Sequence, residues 1–370
     1  MARTVTIVHP GALGDVLLSL PAIRALRASF PRQEFGLLAG DEVGKLLRAC
    51  GEIERLFPLE GDSLASLLAD RTSRSRGWAG QTFFEWLSRC DLAVCWMADP
   101  DGRLAGSLGD LGVDRIIVGS PLSADCQGAH QADRLMETLR GVVTTCRHEE
   151  KLKLPDKVLD AARARLEALG DWGKQPLAVI HPGSGSPHKC SEPALLAQAV
   201  TWLQANGAAP VLVGGPADDE RLAEVSSRCA VPPPACRGLD LLSVAGLLAH
   251  GRLFLGHDSG LTHLAASLHP VPQEAPSVKP WYGLHIQTVA LFGPTDCSRW
   301  APRGPHVTVL SGAPCLCREQ GRQTVQQCRD KPCLQIPAER LVLACQQGLQ
   351  GAGGWCREQP TSGSAPCYAQ

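Results

Sequence analysis

Val5-Thr6-Ile7-Val8-His9-Pro10-Gly11, running into Ala12-Leu13-Gly14-Asp15, decides the fold. It is an apolar, β-branched run that stops at a Pro-Gly turn and opens a helical pattern. Half a chain later Leu177-Ala178-Val179-Ile180-His181-Pro182-Gly183 runs into Ser184-Gly185-Ser186-Pro187-His188-Lys189 and repeats the scheme. A buried parallel strand delivers its chain to a ligand loop in this way at the edge of an open α/β sheet. One loop ends in a carboxylate, Asp15, and the other in a cation, Lys189. Two strand ends of opposite charge predict two α/β units facing one cleft, with the function between them.

Bulk composition fits that prediction. At 370 residues the chain is long enough for two units, each with its own core. It is 44% hydrophobic and 20% charged, as soluble globular proteins are. A net charge of −1 and 5% aromatic residues argue against a nucleic-acid partner. Pro10, Gly11, Gly14 and Asp15 interrupt the N-terminal apolar stretch, so it does not read as a signal peptide. No uncharged run reaches the roughly 18 residues of a membrane helix. A cytoplasmic protein is expected, with contact to the inner face of the cytoplasmic membrane left open. The 16 cysteines then read by default as reduced thiols, many of them packing as small hydrophobes.

Strands and helices alternate through both halves. Strands are expected at 5–8, 34–39, 53–58, 92–96 and 115–118, with helices at 15–29, 42–50, 83–90 and 131–140. In the first helix Val16, Leu20, Ile23 and Leu26 recur at helical spacing. After a polar stretch, strands at 178–180, 211–213, 253–255 and 288–292 alternate with helices at 194–206, 219–229 and 261–268. The expected organisation is a first domain over 1–150, a linker and helix over 151–172, a second domain over 173–350 and a flexible tail over 351–370. Residues 269–287 are too long for an ordinary helix-to-strand connection and read as an inserted loop.

Gly256-His257-Asp258-Ser259-Gly260-Leu261-Thr262-His263-Leu264 follows a strand and opens a helix. Free backbone N–H groups from Ser259 to Thr262, helped by the helix dipole, would make an anion site suited to a diphosphate. A plain capped helix is the competing reading. Val211-Leu212-Val213-Gly214-Gly215-Pro216 leads into Asp218-Asp219-Glu220, whose acids could bind ribose hydroxyls or cap the helix. An NAD-dependent oxidoreductase fits less well, because the first turn is Gly11-x-x-Gly14-Asp15 rather than G-x-G-x-x-G, and Asp15 would repel a pyrophosphate.

Taken in order, these segments resemble glycosyltransferase family 9, the ADP-heptose:lipopolysaccharide heptosyltransferases. The resemblance rests on Gly11-Ala12-Leu13-Gly14-Asp15-Val16 with Pro21-Ala22, on His181-Pro182-Gly183 with Lys189, and on Gly214-Gly215-Pro216. It continues through Asp258-Ser259-Gly260-Leu261-Thr262-His263-Leu264-Ala265-Ala266 and Val289-Ala290-Leu291-Phe292-Gly293-Pro294-Thr295-Asp296. It runs from about residue 4 to about 345. It implies a GT-B fold, two Rossmann-like domains whose parallel sheets face an interdomain cleft. It also implies inverting transfer of a heptose or related sugar, without metal or other cofactor, from a nucleotide sugar such as ADP-heptose. The acceptor would be a lipid-linked or lipopolysaccharide-core oligosaccharide.

Residue by residue, Asp15 matches the family's catalytic carboxylate and Lys189 its diphosphate-contacting lysine. His181, Gly183, Ser184, Gly215, Glu220, Asp258, Ser259, Gly260, Leu261, Thr262 and His263 fall on the donor side, and Gly14 on the acceptor side. The sequence departs from the family at Lys189-Cys190-Ser191-Glu192-Pro193, where members carry Trp-Pro after the lysine. That departure keeps open a non-catalytic, sugar-nucleotide-binding member. Arg71, Arg74 and Arg76 form a basic cluster suited to the carboxylates and phosphates of a lipopolysaccharide core, or simply a solvated loop. Cys315, Cys317, Cys328 and Cys333 resemble a pattern of the family. Structural zinc, disulfides and free thiols all remain open for them.

Overall fold

In a computed structural model the protein is described over residues 3–68, 78–121, 128–143, 151–170, 175–271, 285–315, 317 and 322–350. Arg71, Arg74, Arg76, the tail and most of the 269–287 insertion lie outside these residues.

The first sheet holds β1 (Thr4–Val8), β2 (Glu34–Ala39), β3 (Arg55–Pro58), β4 (Cys90–Cys95) and β5 (Arg115–Val118), all parallel, in the order β3-β2-β1-β4-β5. The second holds β6 (Leu177–His181), β7 (Ala209–Gly214), β8 (Ala235–Arg237), β9 (Leu253–His257), β10 (Gln287–Leu291) and β11 (Val307–Leu310), also parallel, in the order β8-β7-β6-β9-β10-β11. Both follow the dinucleotide-fold order, in which the strand sequence reverses beside the first strand of each sheet. Ligand crevices form at that reversal, above the carboxyl ends of β1/β4 and β6/β9. Those are the ends that carry Asp15, Lys189 and Asp258.

Every residue of β1, β6 and β9 is buried, which is why their sequences are continuous apolar runs rather than alternating ones. The helix expected over 15–29 is two helices, α1 (Leu13–Leu18) and α2 (Leu20–Ser29). Pro21 has no N–H for the carbonyl of Leu17, so the ladder breaks. Ser19 closes α1 through its hydroxyl, which donates to the Val16 carbonyl at 2.7 Å, and its own carbonyl starts α2 by accepting from Ile23 N–H at 2.9 Å.

In the second half α9 (Pro193–Ala205), α10 (Asp219–Ser227), α11 (Leu241–His250) and α12 (Gly260–Ser267) cover the sheet. The two halves meet where α1 packs against α12 and where α11 packs against α3 (Asp41–Ala49). The hydrophobic core is continuous across that contact, from Val5, Ile7 and Val94 to Val179, Phe254 and Ala265. Close approach sets two residues in it. A Cβ on Gly260 would stand 2.8 Å from Leu13 Cβ, and one on Gly14 would stand 3.0 Å from the His263 ring. Glycine at both positions lets the ends of β1 and β9 face each other.

Candidate functional site

Asp15 sits on the third residue of α1, with its Oδ2 accepting the Ala12 N–H at 3.1 Å. Asp15 therefore caps α1 from one side only, since Ala12 has no side-chain oxygen to return the bond. Burial raises the Asp15 pKa above the usual carboxylate range, and the Asp258 charge adds to that rise. The Ala12 N–H and the Lys189 charge pull against it. A partly buried carboxylate held above its ordinary pKa is a better proton acceptor than a solvated one.

Lys189 stands across the contact, last in a 3-10 turn over Pro187–Lys189. Its Nζ lies 2.7 Å from Oδ2 of Asp258, which is 6% exposed. Ser186 starts this turn by accepting the His188 N–H on its hydroxyl at 3.4 Å. Ser184 ties the preceding loop to the next strand end, its hydroxyl donating to the Asp258 carbonyl at 2.6 Å. Asp15, Lys189 and Asp258 thus form one electrostatic cluster on facing strand ends, as the opposite charges of the two loops imply.

The α12 terminus is narrower as an anion site than the sequence suggests. The Thr262 N–H is spent on the Ser259 carbonyl at 3.1 Å, and the His263 N–H turns to the same oxygen at 3.4 Å. The Thr262 hydroxyl donates to the His257 carbonyl. Gly260 and Leu261 remain as the first-turn N–H donors that can meet a phosphate. His263 is buried against Gly14, and desolvation lowers its pKa to about 4, so near neutral pH it is an uncharged packing residue.

His181 is the hub of the donor side. With its Nε2 donating to Oδ2 of Asp218 at 3.3 Å, its Nδ1 is left to accept the Ser259 hydroxyl, also at 3.3 Å. Asp218 further accepts the Gly215 N–H at 2.9 Å, and its Oδ1 occupies the space a Gly183 side chain would need. Burial opposes ionisation of Asp218, yet the bonds from His181 and the Gly215 N–H, with the Arg221 charge, win and hold its pKa below the ordinary value. Of the three consecutive acids it is Asp218 that turns into the site, whereas Glu220 is exposed on α10. His9, the counterpart of His181 on the first sheet, is buried edge-on to Trp96 and accepts the Gly11 N–H on Nδ1 at 3.2 Å.

Two supporting residues have no role that the sequence predicts. Arg221 donates from Nε to the Pro182 carbonyl at 2.9 Å and from Nη2 to the Ser191 carbonyl at 2.6 Å, bracketing the lysine turn on both sides. His257 is fully buried, and its Nε2 receives Ser191 through N–H at 3.0 Å and hydroxyl at 2.9 Å. Beside the cluster opens a cleft of about 990 Å³ shared by both halves, with Leu13 and Glu42 on one wall and Gly215, Leu239, Leu241 and Val244 on the other. That volume is in the range of a small-molecule site.

Two Rossmann sheets meeting at this cleft agree with what known proteins show. The family model for glycosyltransferase family 9 (heptosyltransferase) matches residues 124–273. Lipopolysaccharide heptosyltransferase 3 of Escherichia coli K12 is 23% identical over 307 residues, which cover 78% of this chain and 82% of that one. Over these stretches the chain is similar to glycosyltransferase family 9. Its fold is GT-B. A family 9 glycosyltransferase structure from Veillonella parvula superposes with a TM-score of 0.71 at 19% identity, over 94% of this chain and 98% of that one. The structure of E. coli ADP-heptose lps heptosyltransferase II superposes with a TM-score of 0.69 at 17% identity, over 95% and 100%. Among the described residues no helix is long and apolar enough to cross a membrane.

Proposed function

We propose that this chain, as a family 9 glycosyltransferase, moves a heptose from ADP-heptose to a lipopolysaccharide-core-type saccharide, with inversion at the anomeric carbon and without a metal in the transfer step. The observation that carries the reading is the Lys189–Asp258 pair standing opposite Asp15 where α1 meets α12. On this reading the second half takes the donor and the first half takes the acceptor.

In the transfer step the acceptor hydroxyl oxygen attacks the anomeric carbon as the bond from that carbon to the diphosphate oxygen breaks. The hydroxyl proton passes to Asp15, and the departing diphosphate takes the electron pair. Lys189 and the Gly260 and Leu261 N–H groups receive the charge that develops on the leaving oxygens. Asp258 holds the lysine in place until the donor arrives. Leu239, Leu241 and Val244 offer an apolar wall for the base, and Asp218 with His181 the polar groups nearest the turn. Gly14, packed against His263, places its backbone beside Asp15 on the acceptor side. Work on a lipid-linked acceptor would bring the enzyme to the inner face of the cytoplasmic membrane.

Support comes from the family, from the lipopolysaccharide heptosyltransferase relative and from the charge layout. The deciding experiment is a transfer assay with ADP-heptose and other nucleotide sugars, coupled to a thermal-shift series. A donor that binds the folded state raises Tm by mass action. A shift with ADP-heptose and none with NAD supports the reading, and release of ADP without any saccharide product overturns the transfer.

A further inference from the structure

Transfer makes no use of a group of thiols beyond β11. Cys315, Cys317 and Cys328 place their sulfurs within 4.8 Å of one another. Cys315 Sγ lies 2.6 Å from Cys317 Sγ and 4.0 Å from Cys328 Sγ. Cys333, 6% exposed on the same loop, stands next to this group, close enough to act on the Cys315 thiol but beyond 4.8 Å from at least one of the three sulfurs. The loop that carries them is tied down. Gly312 N–H donates to the Cys333 carbonyl at 2.8 Å, and Leu334 N–H donates to the Lys331 carbonyl at 2.8 Å. Lys331, between the last two cysteines, adopts φ 41° and extends its Nζ to the Pro187 carbonyl at 3.0 Å. Pro187 is the first residue of the turn that presents Lys189.

We infer that Cys315, Cys317, Cys328 and Cys333 bind one thiophilic divalent metal ion, zinc(II) or iron(II), in tetrahedral coordination, and that this site holds Lys331 as a brace beneath the Lys189 turn. The brace rests on the proposed role of Lys189, while the metal site stands without it. Thiolates about 2.3 Å from a tetrahedral metal stand roughly 3.8 Å apart. Cys315 and Cys328 are already near that separation. Cys315 and Cys317 stand farther apart than the roughly 2.05 Å of a disulfide. They need to open by about an ångström to share an ion, a small adjustment in a C-x-C loop. Three thiols crowded together are each a weak donor facing another weak donor. An ion replaces that poor arrangement with bonds to every sulfur, and each thiol releases its proton as it binds.

The test uses the full-length protein purified under reducing conditions, with metal content measured by mass spectrometry and thiols by intact mass. Roughly one zinc or iron per chain is expected. Cys328→Ser and Cys333→Ser should each weaken retention by at least about tenfold, the loss seen even for changes outside a metal's ligand shell. Cobalt(II) reconstitution should give the ligand-field bands of a tetrahedral thiolate site in the wild type and not in Cys328→Ser. Lys331→Met should keep its metal and lose kcat, which a purely structural lysine would not do. Reduced protein that takes up neither zinc nor iron overturns the site. So does metal that survives replacement of all four cysteines, or an intact mass two hydrogens light that marks a Cys315–Cys317 disulfide. Full kcat in Lys331→Met overturns the brace. Metal content is read without any transfer assay, so failure here is distinguishable from failure of the heptosyltransferase reading.

Discussion

Replacing Asp15 by Asn separates the two jobs this carboxylate performs. Its Oδ2 accepts the Ala12 N–H, and an Asn side-chain oxygen can do the same, so the start of α1 survives. What disappears is the ability to take a proton. A positioned general base is worth about 10²–10⁴ in rate, or roughly 3–5 kcal/mol of barrier. The wild-type pKa is raised because burial and the Asp258 charge outweigh the Ala12 bond and the Lys189 charge. The acid limb of kcat against pH should therefore rise above the usual carboxylate range in the wild type and vanish in Asp15→Asn. The variant also sheds a partly desolvated charge, so its Tm near neutral pH should be no lower than wild type. Asp15→Ala should show the same kinetic loss with a lower Tm, because the cap goes too, at about 0.5–1 kcal/mol. The assay is steady-state transfer across pH with donor saturating, beside thermal melts of all three proteins. Wild-type kcat in Asp15→Asn, or an unchanged acid limb, would refute the base assignment.

Lys189→Met should lower kcat about 10²–10³-fold by removing charge from the leaving diphosphate. It should also lower Tm, by less than the ~3–5 kcal/mol of a fully buried broken pair because the lysine is about one-third exposed; the double variant with Asp258→Asn should recover Tm and not kcat. Gly260→Ala places a methyl 2.8 Å from Leu13 Cβ, so it should weaken donor binding, and Leu13→Ala in the same chain should restore it if the defect is steric. Acid should unfold the protein early. Desolvation lowers His9 and His263 to about 4 and His257 and His306 to about 3. Their stabilisation is fully present above the unfolded value near 6.5 and is lost as pH falls from there toward the folded values, at up to about 1.4 kcal/mol per pH unit for each histidine. Denaturant melts from pH 7 to 4.5 check this, and a flat profile would contradict burial of these rings.

Much of this architecture was legible because its signals are local. The β1 and β6 runs are fully buried strands, and burial on both faces leaves no polar positions to blur the pattern. The charges of Asp15 and Lys189 are visible in the sequence, and parallel topology brings the two loops together. Other elements lacked local contrast. Helix α11 buries six consecutive residues from Val244 to Ala249, so no amphipathic period marks it. Strand β8 is three residues long. Pro21 was in plain view, yet its effect depends on the preceding ladder, and the helix divides one residue before the position where the apolar spacing places Leu20 in a continuous turn. Among Asp218, Asp219 and Glu220 the sequence reading takes Glu220, with no local signal that separates the three. The 3-10 turn over Pro216–Asp218 settles it by bringing Asp218 back onto Gly215 N–H and His181.

The departure from the family after Lys189 finds its physical answer in the same structure. A tryptophan in that place would pack beside the lysine; this chain has Cys190 and Ser191, which are small and buried. The turn is instead fastened by polar bonds from three directions. His257 takes both the N–H and the hydroxyl of Ser191 from below, and Arg221 holds the carbonyls of Pro182 and Ser191 at the two ends. Lys331 reaches Pro187 from the cysteine loop. Bonds from the charged donors Arg221 and Lys331 are individually stronger than neutral ones, and together with the neutral His257 acceptor they leave this short turn few alternative conformations. Since the partners come from β9, α10 and the loop after β11, no window of sequence around Lys189 could reveal them. A lysine so held needs no aromatic neighbour to stay aimed across the cleft at Asp15.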